Sequence, residues 1–195
     1  MNRLAKKYQQ EIKPQLQKEW QLETGFAVPQ VKKIIINMGI TEPEDDGARE
    51  KVIDEVATQL EIISGQKPLV TTARKDISGF NLRKGDPVGL KVTLRGQLMW
   101  EFLDKLISIT LPRVKDFQGV PRSAFDGHGN YSLGLEEQIV FAEINYDMIN
   151  EVRGLQATIV TNAEQDDQAL RLLELMGMPF AKEEIQDEES SERKA

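Results

Sequence analysis

The residues best suited to chemistry are cationic and lie on glycine-bearing chain between Lys67 and Arg95. Arg74, Lys75, Arg83 and Lys84 fall within residues 73–87, a stretch that also holds Gly79 and Gly85. Cations on such backbone can follow a run of phosphates, and the glycines let main-chain N–H groups approach an anion closely. The same composition also fits a solvated charged loop with no partner, and charge alone leaves the two readings level. Lys91, Thr93 and Arg95 alternate with Val92 and Leu94, so in a strand the polar set projects from one sheet face and the apolar pair from the other. Phe80 is the one aromatic of this region, too few for stacking several bases, so recognition would rest on shape and backbone contacts. Asn37 and Gln66 carry donors and acceptors that suit ribose hydroxyls or base edges, and equally suit turn chemistry at element ends.

Enzyme chemistry finds little support. His128, the single histidine, shares a glycine-rich turn with Asp126 and Asn130, between Gly127 and Gly129. By type it fits a general base or a metal ligand, but a lone histidine in such a turn reads first as an exposed loop residue. No nucleophile elbow, Walker loop or dinucleotide fingerprint is present. With no cysteine, thiolate zinc sites, iron–sulfur clusters and disulfide frameworks are excluded. Catalytic residues, a metal and a cofactor are therefore not expected. No apolar run approaches the roughly 20 residues that span a bilayer, and no secretory leader is visible, so a soluble cytoplasmic protein without a membrane partner is expected.

The elements that must position these residues follow from periodicity. Leu4, Tyr8, Ile12 and Leu16 recur every four residues, which predicts a helix that Pro14 must kink or split. Residues 31–37 read as a β-branched strand ended by Gly39, followed by an acidic loop over 41–47. Val52, Val56, Leu60 and Ile63 share a face of the next helix, with Ile53 and Ala57 beside it and Ser64-Gly65 as its stop. Strands are expected at 69–72, 88–94 and 155–161, with 73–87 a long functional or mobile loop and 139–141 a short strand. A helix over 97–109 should turn Leu98, Phe102, Leu106 and Ile109 inward, and one over 166–176 should do so with Leu170, Leu173 and Met176. Residues 113–135 read as irregular. From Lys182 onward nine of fourteen residues are charged, so a domain over 1–181 with a disordered acidic tail over 182–195 is expected. The fold class is α+β, a sheet covered by helices.

The net charge of −7 conceals a division along the chain. Residues 1–63 carry −2, residues 64–122 carry +6, and residues 123–195 carry −11. An acidic total therefore does not argue against a nucleic-acid partner, because the candidate residues lie in the basic middle.

Short blocks in a characteristic order give a sharper result. They are Val28-Pro29 and Asn37-Met38-Gly39, then Ile63-Ser64-Gly65-Gln66-Lys67-Pro68 and Ala73-Arg74-Lys75 with Gly79-Phe80. Arg83 with Gly85, Lys91-Val92-Thr93-Leu94-Arg95-Gly96 and Met99-Trp100-Glu101-Phe102 follow. Pro112-Arg113 with Asp116-Phe117, Phe125-Asp126-Gly127, Gly129-Asn130-Tyr131-Ser132, Glu137-Gln138-Ile139, Arg153-Gly154-Leu155 and Pro179-Phe180 complete the series. From about Tyr8 to Phe180 the chain resembles the bacterial large-subunit ribosomal protein five family, the 5S rRNA-binding protein of the central protuberance.

The resemblance implies an antiparallel sheet with helices packed on one face and RNA met by the other. It implies 5S rRNA contacts at Asn37, Gln66 and Thr93, with Lys67, Lys91 and Arg95 beside them. It places Arg74, Lys75, Phe80, Arg83 and Lys84 on a loop facing P-site tRNA. It assigns the region of Arg113, Asp116, Phe117, Asp126, His128 and Asn130 to an intersubunit bridge with small-subunit protein thirteen. The implied partners also include 23S rRNA and, through 5S rRNA, large-subunit protein eighteen. The acidic loop 42–46 and the tail from Glu183 depart from the family's usual pattern, and Asp76 and Asp86 dilute the charge of the tRNA-side loop. The alternative reading is an acidic protein-interaction module or ribosome-assembly chaperone that works through the −11 segment.

Overall fold

A run of β-branched residues makes Val31–Gly39 the central strand, β1, in a five-stranded antiparallel sheet. The computed structural model describes residues 2–40, 46–80 and 82–181, and the backbone alone at 46–48, 80 and 148. The other strands are β2 (Leu69–Thr72), β3 (Pro87–Leu94), β4 (Tyr131–Leu135) and β5 (Leu155–Thr161), in the order β2-β3-β1-β5-β4. Ile34, Ile36 and Met38 face inward with Leu90, Val92 and Leu94 of β3, Leu155, Ala157 and Ile159 of β5, and Tyr131, Leu133 and Leu135 of β4. All are buried, and the helices cover this one face.

Helix α3 (Asp46–Ser64) lies against β3 and buries Ile53, Val56, Leu60 and Ile63. Val56, Leu60 and Ile63 were expected from spacing, but Ile53 takes the inward place expected of Val52, which is half-buried. Helix α5 (Asp166–Met176) buries Ala169, Leu172, Leu173 and Met176, and Gly177 closes it with φ +98°. The N-terminal helix runs through α1 (Arg3–Lys7), a π-helical turn (Tyr8–Ile12) and α2 (Lys13–Glu19). Pro14 does not split it. A proline ring clashes with the carbonyl four residues back, and a widened turn just before it relieves that clash. The same device recurs after α4 (Gly96–Lys105), where the π turn Leu106–Thr110 precedes Pro112 at the same spacing. That widening rotates Ile109 outward, to 46% exposure, so the inward stripe is Met99, Phe102, Leu103 and Leu106, not one ending in Ile109. Leu98 is half-buried. The Tyr8 ring packs tilted against Trp100 of α4, with ring centroids 5.6 Å apart, and its hydroxyl donates to the Pro29 carbonyl. Burial pushes the Tyr8 and Tyr131 hydroxyls up to about 12.

Two further expectations are corrected. Strand β4 lies inside the stretch read as irregular, where Gly134 interrupts the side-chain alternation that would have marked it. Residues 139–141 are not a strand: Gln138–Val140 is a 3-10 turn that delivers Phe141 into the core. Gln138 holds this turn by donating from Nε2 to the Glu151 carbonyl at 2.8 Å, and its own N–H donates to Arg153 O. Of the acidic loop expected over 41–47, residues 41–45 lie outside the described residues, as does the tail from Lys182, whereas Asp46 and Gly47 already belong to α3. Among the described residues no helix is long and apolar enough to cross a membrane.

Among the glycines of the sheet the tightest is Gly89, where a Cβ would stand 2.6 Å from the Met38 carbonyl oxygen. Gly89→Ala should lower stability by about 1–3 kcal/mol in urea unfolding, since the atom in the way is main chain. An unchanged midpoint would show that the β1–β3 pair is more pliant than this packing requires.

Candidate nucleic-acid interface

The register that buries one face builds the other. Ser132, Thr158, Ile35 and Thr93 form one row across β4, β5, β1 and β3. Gly134, Gln156, Asn37, Lys91 and Leu69 form the next, reaching edge strand β2. Among the described residues no helix covers this face. Asn37 therefore stands in mid-strand with its amide on the open face, which removes the strand-end turn reading. Ser132 and Thr158 hydroxyls share a 3.1 Å hydrogen bond, whereas the side chains of Asn37, Thr93, Lys91 and Gln156 bond to no other described residue.

Gln66 and Lys67 follow the left-handed Gly65 (φ +68°) that ends α3. Ser64 Oγ donates to the carbonyls of Leu60 and Gln66 and accepts from the Gln66 N–H, fixing the turn through backbone and leaving the Gln66 side chain exposed. Because Leu69 pairs with Lys91, this turn meets the sheet at the end where Thr93 and Arg95 lie. Arg95 sits one residue past β3, at the N-cap of α4, fully on the surface.

The loop at 73–87 occupies the opposite end of the β2–β3 pair. Eight residues of β3 separate the two ends by roughly 23 Å. The loop has internal order. Ile77 and Leu82 form an antiparallel bridge, and Ala73 exchanges backbone hydrogen bonds with Asp86 and Gly85. Asp86 Oδ2 accepts from the Arg83 N–H at 2.6 Å, and Asp76 Oδ1 accepts from the Lys84 N–H at 2.7 Å. The two aspartates thus do more than dilute charge: each caps backbone under a basic residue. Arg49 of α3, only 2% exposed, reaches to 3.9 Å from Asp86 and ties the loop to the helix layer. Arg74, Lys75, Arg83 and Lys84 are exposed and have no ion pair among the described residues. Phe80 lies in a 3-10 turn, and its side chain is outside the described residues.

The third group is divided. Arg113, Asp116 and His128 are exposed, Phe117 is half-buried, and Asp116 adopts φ +51°. Asp126 and Asn130 are structural in their bonding. The Asp126 carboxylate accepts from the N–H groups of His128 and Asn130 and from Asn130 Nδ2, while Asn130 Oδ1 accepts from Thr161 N. Asp166 accepts from the N–H groups of Gly127 and Gly129 in the same turn. The Asn130 amide, then the two backbone donors and the charge of His128, hold the Asp126 carboxyl below its ordinary 3.8, with its slight burial opposing them. Among the described residues no group of three or more His, Cys, Asp or Glu is placed to hold a metal.

Ion pairing sorts the charges further. Lys105 pairs with Glu143, Arg122 with Glu174, Arg171 with Glu19 and Glu174, Arg153 with Glu151, and Arg3 with Asp104. Of the acidic segment, Glu143, Glu151 and Glu174 are thus engaged in ion pairs within the molecule. Lys67, Lys91 and Arg95 remain unpaired among the described residues, as do the four loop cations. Sequence reasoning missed Ser132, Gln156 and Thr158. Alternation in 155–161 carried the signal for the last two; the glycines around β4 hid the first.

Comparison with known proteins agrees along the chain. Residues 26–83 match the family model described as Ribosomal protein L5, and residues 87–180 match the model of that ribosomal family's C-terminus. The chain is 52% identical over 181 residues to the large ribosomal subunit protein uL5 of Streptococcus uberis, covering 93% of this chain and 99% of the relative. It is 51% identical to the protein of the same name from Streptococcus thermophilus, with the same coverage. Matched in both halves and at this identity, the chain belongs to the ribosomal protein L5 family, a family of structural ribosomal proteins and not of enzymes.

Proposed function

We propose that this protein is a constituent of the large ribosomal subunit in the cytoplasm, where its open sheet face binds 5S rRNA. The observation that carries the reading is the set of unpaired polar and cationic side chains on that face. Asn37, Thr93 and Gln156 present unsatisfied donors and acceptors, and Gln66, Lys67, Lys91 and Arg95 border them at one end. Amides and hydroxyls at this spacing suit the 2′-hydroxyls and base edges of a shallow RNA groove, and the cations suit its phosphates. The lack of an aromatic platform favours recognition of folded RNA shape over stacking on splayed bases.

The 73–87 loop takes a separate task in this reading, contact with P-site tRNA through Arg74, Lys75, Phe80, Arg83 and Lys84. Its distance from Thr93 along β3 supports two RNA surfaces in place of one. Contacts with 23S rRNA extend the basic margin, and large-subunit protein eighteen is reached through 5S rRNA. The exposed Arg113, Asp116 and His128, with Phe117 beside them, are the surface offered to small-subunit protein thirteen. Asp126 and Asn130 shape that surface through their internal hydrogen bonds.

Asn37→Ala combined with Thr93→Ala should weaken 5S rRNA binding roughly 30-fold to 150-fold, at about 1–1.5 kcal/mol per lost hydrogen bond, with urea unfolding unchanged. An unaltered gel-shift titration would remove these residues from the interface. Replacing Arg74, Lys75, Arg83 and Lys84 by Gln should leave 5S rRNA affinity within about twofold, since salt-dependent contacts act locally within a Debye length of roughly 10 Å. The same variant, assembled into ribosomes, should loosen P-site tRNA. Loss of 5S rRNA binding in that variant would merge the two surfaces and overturn their separate roles.

A further inference from the structure

The cationic end of the open face has no internal counterion among the described residues, yet the chain carries one elsewhere. Lys67, Lys91 and Arg95 cluster there with no carboxylate paired to them. Like charges held together on a free protein repel, so an anion brought to them lowers the energy of the unbound state. Beyond Lys182 the chain holds six carboxylates, Glu183, Glu184, Asp187, Glu188, Glu189 and Glu192, with Ile185 as its one large apolar residue. This segment lies past residue 180, where the family match ends.

The point from which the segment departs is fixed. The Ala181 N–H donates to Val120 O at 2.9 Å, and Arg122 Nε donates to Ala181 O at 3.3 Å. Gly119 (φ +110°) passes so close that a Cβ would lie 2.5 Å from Ala181 N. Phe180 packs edge-on to the inward-facing Tyr131 at 5.6 Å, which sets the departure point on the helix side of β4, the edge strand opposite β2, so the segment must round that edge to reach the open face. Fourteen residues extend to at most roughly 46–50 Å. The five strands span about 19 Å from β4 to β2, and rounding the β4 edge adds about 10 Å. The segment is therefore long enough to cross the whole face and reach Lys91 and Arg95.

We propose that the acidic segment from Glu183 to Glu192 docks on the cationic end of the open sheet face and competes there with RNA. The proposal rests on the RNA-face reading above for its consequence, but the docking itself is a property of the free protein. RNA binding then exchanges one set of anions for another. The segment recovers its own counterions as the RNA gives its up, so the salt dependence of the full chain is shallower than that of a chain lacking the segment. Loose binding to unspecific RNA is suppressed most, because it has fewer shape contacts with which to displace the segment.

The test compares the full chain, a chain ending at Lys182, and a full-length variant with all six carboxylates changed to Gln or Asn. At about 50 mM salt both altered chains should bind 5S rRNA roughly threefold to tenfold more tightly than the full chain, and the three should converge near 500 mM. In the absence of RNA, backbone amide resonances of Lys91, Thr93 and Arg95 should differ between the full chain and both altered chains. Equal or weaker RNA binding by the altered chains, with those resonances unmoved, overturns the docking and leaves the RNA face standing. Resonances that move while no chain binds 5S rRNA sustain the docking and overturn the RNA reading. Shifts confined to Arg113 and Lys115 place the segment elsewhere and overturn the proposal.

Discussion

The molecule depends on the antiparallel register of β1 with both of its neighbours. Once Ile34, Ile36 and Met38 are committed to the helix side, Ile35 and Asn37 can face only outward, and β3 and β5 follow in step. A one-residue slip in either pairing would bury Lys91 or Gln156 and expose Val92 or Ala157. The hydrophobic core therefore does more than stabilise the fold: it fixes which polar groups lie together on the open side. Gly89, opposite Gly39 at the far end of the β1–β3 pair, permits the close approach of strands there, whereas a Cβ at Gly39 would meet no atom within 4 Å.

A second regularity concerns the carboxylates. Asp76, Asp86, Asp126 and Asp166 accept from backbone N–H groups of the two glycine-bearing loops. Such bonds order a turn without drawing on its basic side chains, so Arg83 and Lys84 stay available while their own backbone is capped. Farther from the open face, carboxylates are consumed in ion pairs, as with Glu143 at Lys105 and Glu174 at Arg122 and Arg171. The acidic majority of the chain and its cationic surface are thus compatible because they occupy different places. This arrangement favours an RNA-binding role over that of an acidic interaction module.

Strand β1 was legible in the sequence because of its run of β-branched residues, and β3 and β5 because their apolar residues alternate over seven or more positions. Helix α3 was legible for the same reason at a helical period. Strand β4 was not, since five residues with Gly134 among them carry too short an alternation to be distinguished from the glycine-rich turn before it. The run Ile139-Val140-Phe141 misled because an apolar triplet serves a core-directed 3-10 turn as well as a strand, and the deciding bonds of Gln138 go to residues more than ten positions away. Ile109 misled because π widening shifts the helical phase, and only the later Pro112 hints at it. Of the candidate site, the β3 residues followed from alternation alone, whereas the capping duties of Asp76 and Asp86 depend on a turn geometry that residue type does not specify.

The central claim is that one sheet face, and not the helical or acidic side, receives RNA. It is tested most directly by mapping 5S rRNA onto the protein by NMR cross-saturation, with every amide observed at once. Saturation transfer should fall on Asn37, Lys91, Thr93 and Gln156 and spare α5 and the exposed side of α3. Transfer centred on α5 or on the 136–151 segment, with the sheet face untouched, would contradict the account.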